Sequence, residues 1–200
     1  MNKQADTASA WICHPVDGGR WADVERLFGE AGGRGGCWCM RWRLSREQYE
    51  SGLGAGNRQR LRAGIKAGQI HGVLAYAGER PVAWCSFAPR EQFPVLDQSE
   101  ALARVDPRPV WSVSCFYVTP AARRQGVTGA LLAAVIAHAR TLEVATLEAY
   151  PLDPPQPKLP VAACWTGLLG TFLAAGFVEV ARRAPARPVV RLDLALASAD

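Results

Sequence analysis

The chain has 200 residues, 49% of them hydrophobic and 20% charged, with a formal net charge of +5. That length suits one globular domain with a sizeable core, spanning residues 1–200. The positive balance fits an anionic partner, but the arginines are dispersed and form no lysine-arginine block, so nucleic acid is not expected as a partner.

In chain order, Trp11 to Val16 reads as a first strand. Gly19 to Glu30 reads as a helix with Trp21, Val24, Leu27 and Phe28 on one face. A glycine-rich loop, Ala31 to Gly36, leads into the aromatic stretch Cys37 to Trp42. Ser45 is placed to cap a short helix, with Glu47 and Gln48 in its first turn. Ser51 to Gly56 is a break, including Gly52-x-Gly54-x-Gly56, which no strand precedes and which is therefore read as loop. Asn57 is expected to cap a basic helix ending near Ala67. Ile70 to Ala88 reads as a hairpin turning at Ala77-Gly78-Glu79, and Arg90 to Arg104 as a helical or irregular connection. Val110 to Val118 is an apolar strand. A helix follows from about Gly126 to Leu142, with Leu131, Leu132, Val135, Ile136 and Ala139 as its apolar stripe. Ala145 to Tyr150 is a further strand. Pro151 to Pro160, with five prolines, excludes helix and central strand; it reads either as a loop shaping a cleft or as a rigid linker.

Val161 to Val178 is uncharged and long enough to count as a membrane-span candidate. Gly167, Gly170 and Gly176 interrupt it, so it reads as a buried helix followed by a strand from Phe177, and no membrane association is expected. The start of the chain lacks the apolar core of a secretory signal. The expected location is cytoplasmic, with the six cysteines reduced. Cys85 and Cys115 read as small buried residues of strands.

The segment Val118 to Leu132 carries the most chemistry. A strand runs into a turn with Arg123, Arg124 and Gly126, and then into a helix. The first amides of a helix lack intrahelical acceptors, and the macrodipole makes that end partly positive. Two arginines there oppose the dipole, a conflict that a bound polyphosphate resolves by accepting guanidinium and amide hydrogen bonds. A solvated basic turn is the alternative.

Arg123-Arg124-Gln125-Gly126-Val127-Thr128 resembles motif A of the GNAT superfamily of acyl-CoA-dependent N-acyltransferases. Thr128 stands where Gly or Ala is usual, with Gly129 one residue late. The hairpin before this motif and the Leu173 to Phe177 helix-Gly-Phe step after it follow the family order, so the resemblance spans about residues 10 to 195. It implies an α/β fold: a single GNAT-like domain with a mixed central sheet of about six to seven strands flanked by about four helices. It implies acetyl-CoA as the acyl-donor cosubstrate. Phe116, Tyr117 and Val118 would lie against the pantetheine arm through their backbone. Arg123, Arg124, Gln125, Gly126, Val127, Thr128, Gly129 and Ala130 would surround the pyrophosphate. The implied activity is N-acetyl transfer, by direct attack in a ternary complex, to an amine of a small-molecule acceptor or of a protein. A monomer or a homodimer is expected. The alternative is a CoA-binding module without transferase activity.

Many relatives carry a tyrosine four residues before the closing Gly as general acid; here that residue is Phe172, on an apolar stripe with Trp165, Leu168 and Leu169. Glu148 and Tyr150 are the catalytic candidates in its place. They share one strand face, and a glutamate in an interior strand is costly unless paired or functional. A structural salt bridge to an arginine is the alternative for Glu148, and ordinary packing for Tyr150. Ser112 and Ser114 share a face and are candidates to orient an acceptor through water. His71 and His138 read as structural. Trp38, Trp42 and Trp84 are candidate liners of an acceptor pocket, or cover for the core. Cys13, His14, Cys37 and Cys39 supply zinc-ligand chemistry, but their spacing is wrong for a zinc knuckle, so no metal is expected.

Overall fold

The computed structural model describes residues 11–154 and 161–194. Seven strands form one mixed sheet: β1 (Ile12–Pro15), β2 (His71–Ala77), β3 (Arg80–Pro89), β4 (Trp111–Val118), β5 (Thr146–Ala149), β6 (Val178–Ala184) and β7 (Arg187–Asp193), in the order β1-β2-β3-β4-β5-β7-β6. Among the described residues five α-helices accompany it: α1 (Trp21–Phe28), α2 (Arg46–Ser51), α3 (Ala55–Lys66), α4 (Val127–Thr141) and α5 (Leu169–Ala174). The sheet falls within the expected size. The described helices agree with the expected number of about four, two of them, α2 and α5, being short at six residues each.

β4 and β5 are parallel, and α4 makes the crossover between them, while the other ladders are antiparallel. The apolar stripe of α4 is buried against β2, β3 and β4 in one large cluster that also holds Phe116, Phe172 and Phe177. The opposite face of the sheet packs Leu74, Tyr76 and Trp84 against Trp21, Val24, Leu27 and Phe28 of α1 and Leu61 and Ile65 of α3. A third cluster, including Phe93, Leu96, Leu102, Tyr150 and Val189, seats three short 3-10 turns between β3 and β4 against β5 and β7. Each layer follows from side chains at helical or alternate-strand spacing meeting a sheet face. Among the described residues no helix is long and apolar enough to cross a membrane.

Two expected boundaries move. Ser45 caps α2 as expected, through a capping box with Gln48. Asn57, however, does not cap α3. The helix starts three residues earlier, with Gly54 at its cap, whose φ of 79° brings its amide to the carbonyl of Gly36 at 3.0 Å. A left-handed residue is cheap only for glycine. Asn57 instead sits fully buried inside α3, and its amide nitrogen donates to the carbonyls of Tyr49 and Gly36 at 3.2 and 3.4 Å. The second change lies after the proline-rich segment, of which residues 155–160 fall outside the described part. Residues 161–166 are 3-10, Gly167 (φ 82°) ends them, and α5 begins at Leu169. The run is therefore not one buried helix: Leu168 and Leu173 are exposed and Phe172 alone of α5 is buried.

Candidate active site

β4 pairs with β3 along its whole length, with an irregularity at Ser114, which has no Cα partner between Ser86↔Cys115 and Phe87↔Val113. It pairs with β5 only from Trp111 to Val113. Beyond Val113 no described strand pairs with β4 on that side, so the sheet splays open along Ser114 to Val118. Bulges bend a strand and release its ladder. The side chains of Phe116 and Tyr117 are spent on packing, Phe116 against Phe172 (6.0 Å between ring centroids) and Tyr117 against Phe28 (5.4 Å). What this stretch offers a ligand is backbone, in the manner of an added strand.

The splayed strand leads into the basic turn. Pro120–Ala122 is a 3-10 turn, Arg124 has a φ of 61°, and Gly126 (φ 78°) stands at the N-cap of α4. The indole of Trp11 donates to the carbonyl of Gln125 at 3.0 Å, the side chain of Gln125 donates to Ala121 at 2.7 Å, and Nε of Arg123 donates to Val118 at 3.2 Å. These bonds hold the turn from both sides. The α4 N-terminus has no side-chain cap and no acidic residue in its first turn. Among the described residues, the amides of Gly126, Val127 and Thr128 have no acceptor, whereas those of Gly129 and Ala130 reach the carbonyl of Gly126. Neither Arg123 nor Arg124 meets a described carboxylate. A Cβ built at Gly126 or Gly129 meets nothing within 4 Å. Open amides, two uncompensated guanidinium groups and clear space make a receptor for a polyanion.

The floor of the splay is a buried polar network. Glu148, 1% exposed, lies opposite Ser112 in β4 and Arg191 in β7. Its Oε2 accepts from Nε of Arg191 at 2.8 Å, and its Oε1 accepts from the Tyr150 hydroxyl at 2.6 Å and from Nη1 of Arg90 at 3.3 Å. Arg90 also donates to the Tyr150 hydroxyl (2.5 Å), to Asp97 (2.6 Å) and to the carbonyl of Leu102 (2.9 Å), and Arg191 donates to Asp106 (2.6 Å). Ser112 Oγ lies 2.8 Å from the Tyr150 oxygen. Burial, and then the neighbouring Glu148, push the Tyr150 phenol well above its usual range. Glu148 and Tyr150 thus share a face and touch, as their alternation predicts, and Glu148 is paired. Phe172, fully buried between Phe116 and Phe177, is core.

Above the floor stands an aromatic pair. Trp42 stacks on Trp165 at 5.0 Å and 27°, and its indole N–H donates to the carbonyl of Ser114 at 3.0 Å. The expected liners Trp38 and Trp84 are instead core residues at 4% and 0% exposure, packed around Phe28. Large aromatic area gains most from full burial. Beside Trp42, Arg43 lies over the Phe93 ring and donates to Gln92 (2.6 Å) and Ser86 (3.4 Å), while its enclosed Nε has no partner. Below it, a hydrogen bond with the Cys115 thiol, helped by the Trp84 N–H and the charge of Arg43 against the effect of burial, pulls the Cys39 thiol down to about 7. Ser114 and Ser112 are buried, and Ser114 Oγ donates to the carbonyl of Ser86 at 3.4 Å.

Sequence reading missed Arg90, Arg191, Arg187 and Trp165 as site neighbours. The interior glutamate signalled that an arginine was needed, but not which one. The zinc alternative does not assemble: Cys13 packs on the α4 face of the sheet and Cys39 in the cluster on the opposite face. Among the described residues no group of His, Cys, Asp and Glu is arranged to hold a metal.

The model of the acetyltransferase (GNAT) family matches residues 38–156. No curated protein matches the chain by sequence. Similar solved structures include a protein described as histone acetyltransferase HPA2 and related acetyltransferase from Corynebacterium glutamicum (TM-score 0.54, 18% identity, covering 94% of this chain and 99% of that one). Another is yncA from Salmonella typhimurium, solved with acetyl-CoA (TM-score 0.53, 14% identity, 93% and 95% covered). A third is a ribosomal-protein-alanine N-acetyltransferase from Brucella melitensis (TM-score 0.53, 16% identity, 92% and 99% covered). At these identities the likeness is one of fold.

Proposed function

Since the chain belongs to the GNAT acetyltransferase family, we propose that it moves an acetyl group from acetyl-CoA to the amine of a small-molecule acceptor, by direct attack in a ternary complex. The observation that carries this reading is the continuity of two features: a strand edge that no described strand pairs from Ser114 to Val118, and directly after it a helix start with unaccepted amides and two arginines that meet no described carboxylate. Their spacing suits a ligand with an amide-bearing arm and a diphosphate.

In this reading the amides of Gly126, Val127 and Thr128 and the guanidinium groups of Arg123 and Arg124 hold the diphosphate, with Gln125, Gly129 and Ala130 around it. The backbone of Phe116, Tyr117 and Val118 aligns the arm. Acetyl-CoA supplies an acyl thioester whose thiol, with a pKa of about 8.5, leaves more easily than an amine. The chain's contribution is orientation and polarisation. We assign Glu148 and Tyr150 to positioning: with both Glu148 oxygens engaged, the pair holds Ser112 and the mouth of the splay in register. The acceptor amine then has to arrive neutral, and the Trp42–Trp165 pair forms the wall it passes.

Isothermal titration with acetyl-CoA, followed by thiol-release assays over a panel of amines, tests the proposal. Saturable binding and amine-dependent release, with intersecting initial-rate lines, are expected. Absence of acetyl-CoA binding would overturn it. The core position of Phe172, where a phenol is usual, favours a second reading as a CoA-binding module, and binding without release on any amine would select that one.

A further inference from the structure

We infer that the acceptor carries a carboxylate and that Arg187 receives it; the inference rests on the acetyl-transfer reading above and names the substrate class of that site. The observation is a guanidinium group that meets no described carboxylate. Arg90 and Arg191, the buried arginines of the floor, are each held by carboxylates: Glu148 and Asp97 for the first, Glu148 and Asp106 for the second. Arg187, half-buried at the start of β7, is not. Its Nη1 donates to Thr166 Oγ1 at 2.8 Å and to the carbonyl of Tyr150 at 3.3 Å, both neutral acceptors. Among the described residues Arg187 meets no carboxylate, and the group whose charge acts on it is the Cys164 thiol. A guanidinium edge meets a carboxylate with two parallel hydrogen bonds.

Among the described residues between β5 and β6, Asp153 is the one acid. It has its amide on the carbonyl of Ala186, next to Arg187, yet its carboxylate goes to Arg182 at 2.7 Å. A partly desolvated charge left unpaired is costly unless something else pairs it.

The position of Arg187 ties it to the splay. It grips the carbonyl of Tyr150, whose hydroxyl reaches Ser112 on the floor. It also grips Thr166, next to Trp165, whose ring stacks on Trp42. Trp42 in turn binds Ser114, where β4 begins to open. Arg187 and the Trp42–Trp165 pair are therefore both tied to β4 where it parts from β5. Arg43 stands beside Trp42 over the Phe93 ring, and its positive charge disfavours a polycationic amine. An acceptor with an amine at one end and a carboxylate at the other meets both demands.

The test compares ω-amino acids of increasing chain length with their carboxamides as acceptors for acetyl-CoA. The acids are expected to be favoured in kcat/KM by about 10- to 100-fold, the range of a charged hydrogen bond. Arg187→Gln should remove that preference by raising KM for the acid far more than for the amide, and Arg187→Lys should restore part of it. A purely structural role would lower both substrates equally. Equal use of acid and amide by the wild-type protein, or an equal loss on both in Arg187→Gln, overturns the inference. Should the variant fail to fold or no panel amine react, the CoA-saturated wild-type protein is titrated with N-acetyl ω-amino acids and their amides, read by tryptophan fluorescence. Selective binding of the acids supports the inference, and no selectivity overturns it. Failure to bind acetyl-CoA is a separate result and sinks the acetyl-transfer reading itself.

Discussion

Glu148 and Arg191 face each other across the β5–β7 ladder, and Nε of Arg191 donates to Oε2 of Glu148 at 2.8 Å. With Arg90 on the other oxygen, the carboxylate of a central strand sits between two guanidinium groups beneath the splay. A buried pair is weak support for stability against an apolar replacement, but losing one partner strands the other.

Glu148→Gln is therefore expected to destabilise the fold by about 3–5 kcal/mol, read by urea unfolding. Acetyl-CoA affinity should change little, since the α4 turn is separate from the network. Turnover should fall with the loss of Tyr150 registration. Unchanged unfolding would show that the two arginines find other partners.

Arg124 separates binding from folding. Its φ of 61° costs a non-glycine residue about 1–2 kcal/mol, so Arg124→Gly should leave the ligand-free protein as stable as before or slightly more stable. The same change should weaken acetyl-CoA about tenfold and flatten the salt dependence of binding. Calorimetry on the variant checks both halves, and undiminished affinity would remove Arg124 from the site.

Gly129→Ala acts in opposite directions on the two properties. The added methyl meets nothing within 4 Å, and alanine in a helix is worth about 0.8–1.0 kcal/mol over glycine. The melting temperature should rise. KM for acetyl-CoA should rise as well, because the methyl occupies the space assigned to the diphosphate. A higher melting temperature with unaltered KM would place the diphosphate elsewhere.

Trp42→Phe keeps an aromatic ring and deletes the N–H to Ser114. Acceptor KM should increase about 2- to 10-fold, the range of one neutral hydrogen bond, while acetyl-CoA KM holds. Equal effects on both substrates would mean that the indole shapes the whole splay and not the acceptor side.

Stability should respond to acid through His71 and His138. Burial lowers both pKa values, and for His71 the nearby His138 and Arg43 lower it further. Between the lowered folded values and the ordinary 6.5, the unfolded chain binds more protons than the folded one, so stability falls as pH drops through about 6.5. The double variant His71→Asn, His138→Gln should flatten this part of the melting-temperature profile. An identical slope in wild type and variant would assign the acid sensitivity to other groups.

The order of strands and helices was legible in the chain because each element carries its own period. The α4 stripe, the β2–β3 hairpin and the cap at Ser45 need only local spacing. The basic turn before α4 was legible too, since arginines before a helix start conflict with the dipole wherever the helix packs. The partners of Glu148 were not: Arg90 and Arg191 lie 58 and 43 residues away in sequence, and nothing local distinguishes them from other arginines. The same holds for the tryptophans. Trp38, Trp42 and Trp84 look alike in sequence, yet two fill the core and one stacks on Trp165.

The family resemblance, the alternation of elements and the basic turn can thus be read along the chain, because periodicity, turn chemistry and helix-end electrostatics act over a few residues. The sheet order, acting over long separations, clamps Glu148 between two arginines, parts β4 from β5 after Val113, and leaves Arg187 without a carboxylate among the described residues. Those outcomes depend on which distant side chains the sheet order brings within about 3 Å, the reach of a hydrogen bond.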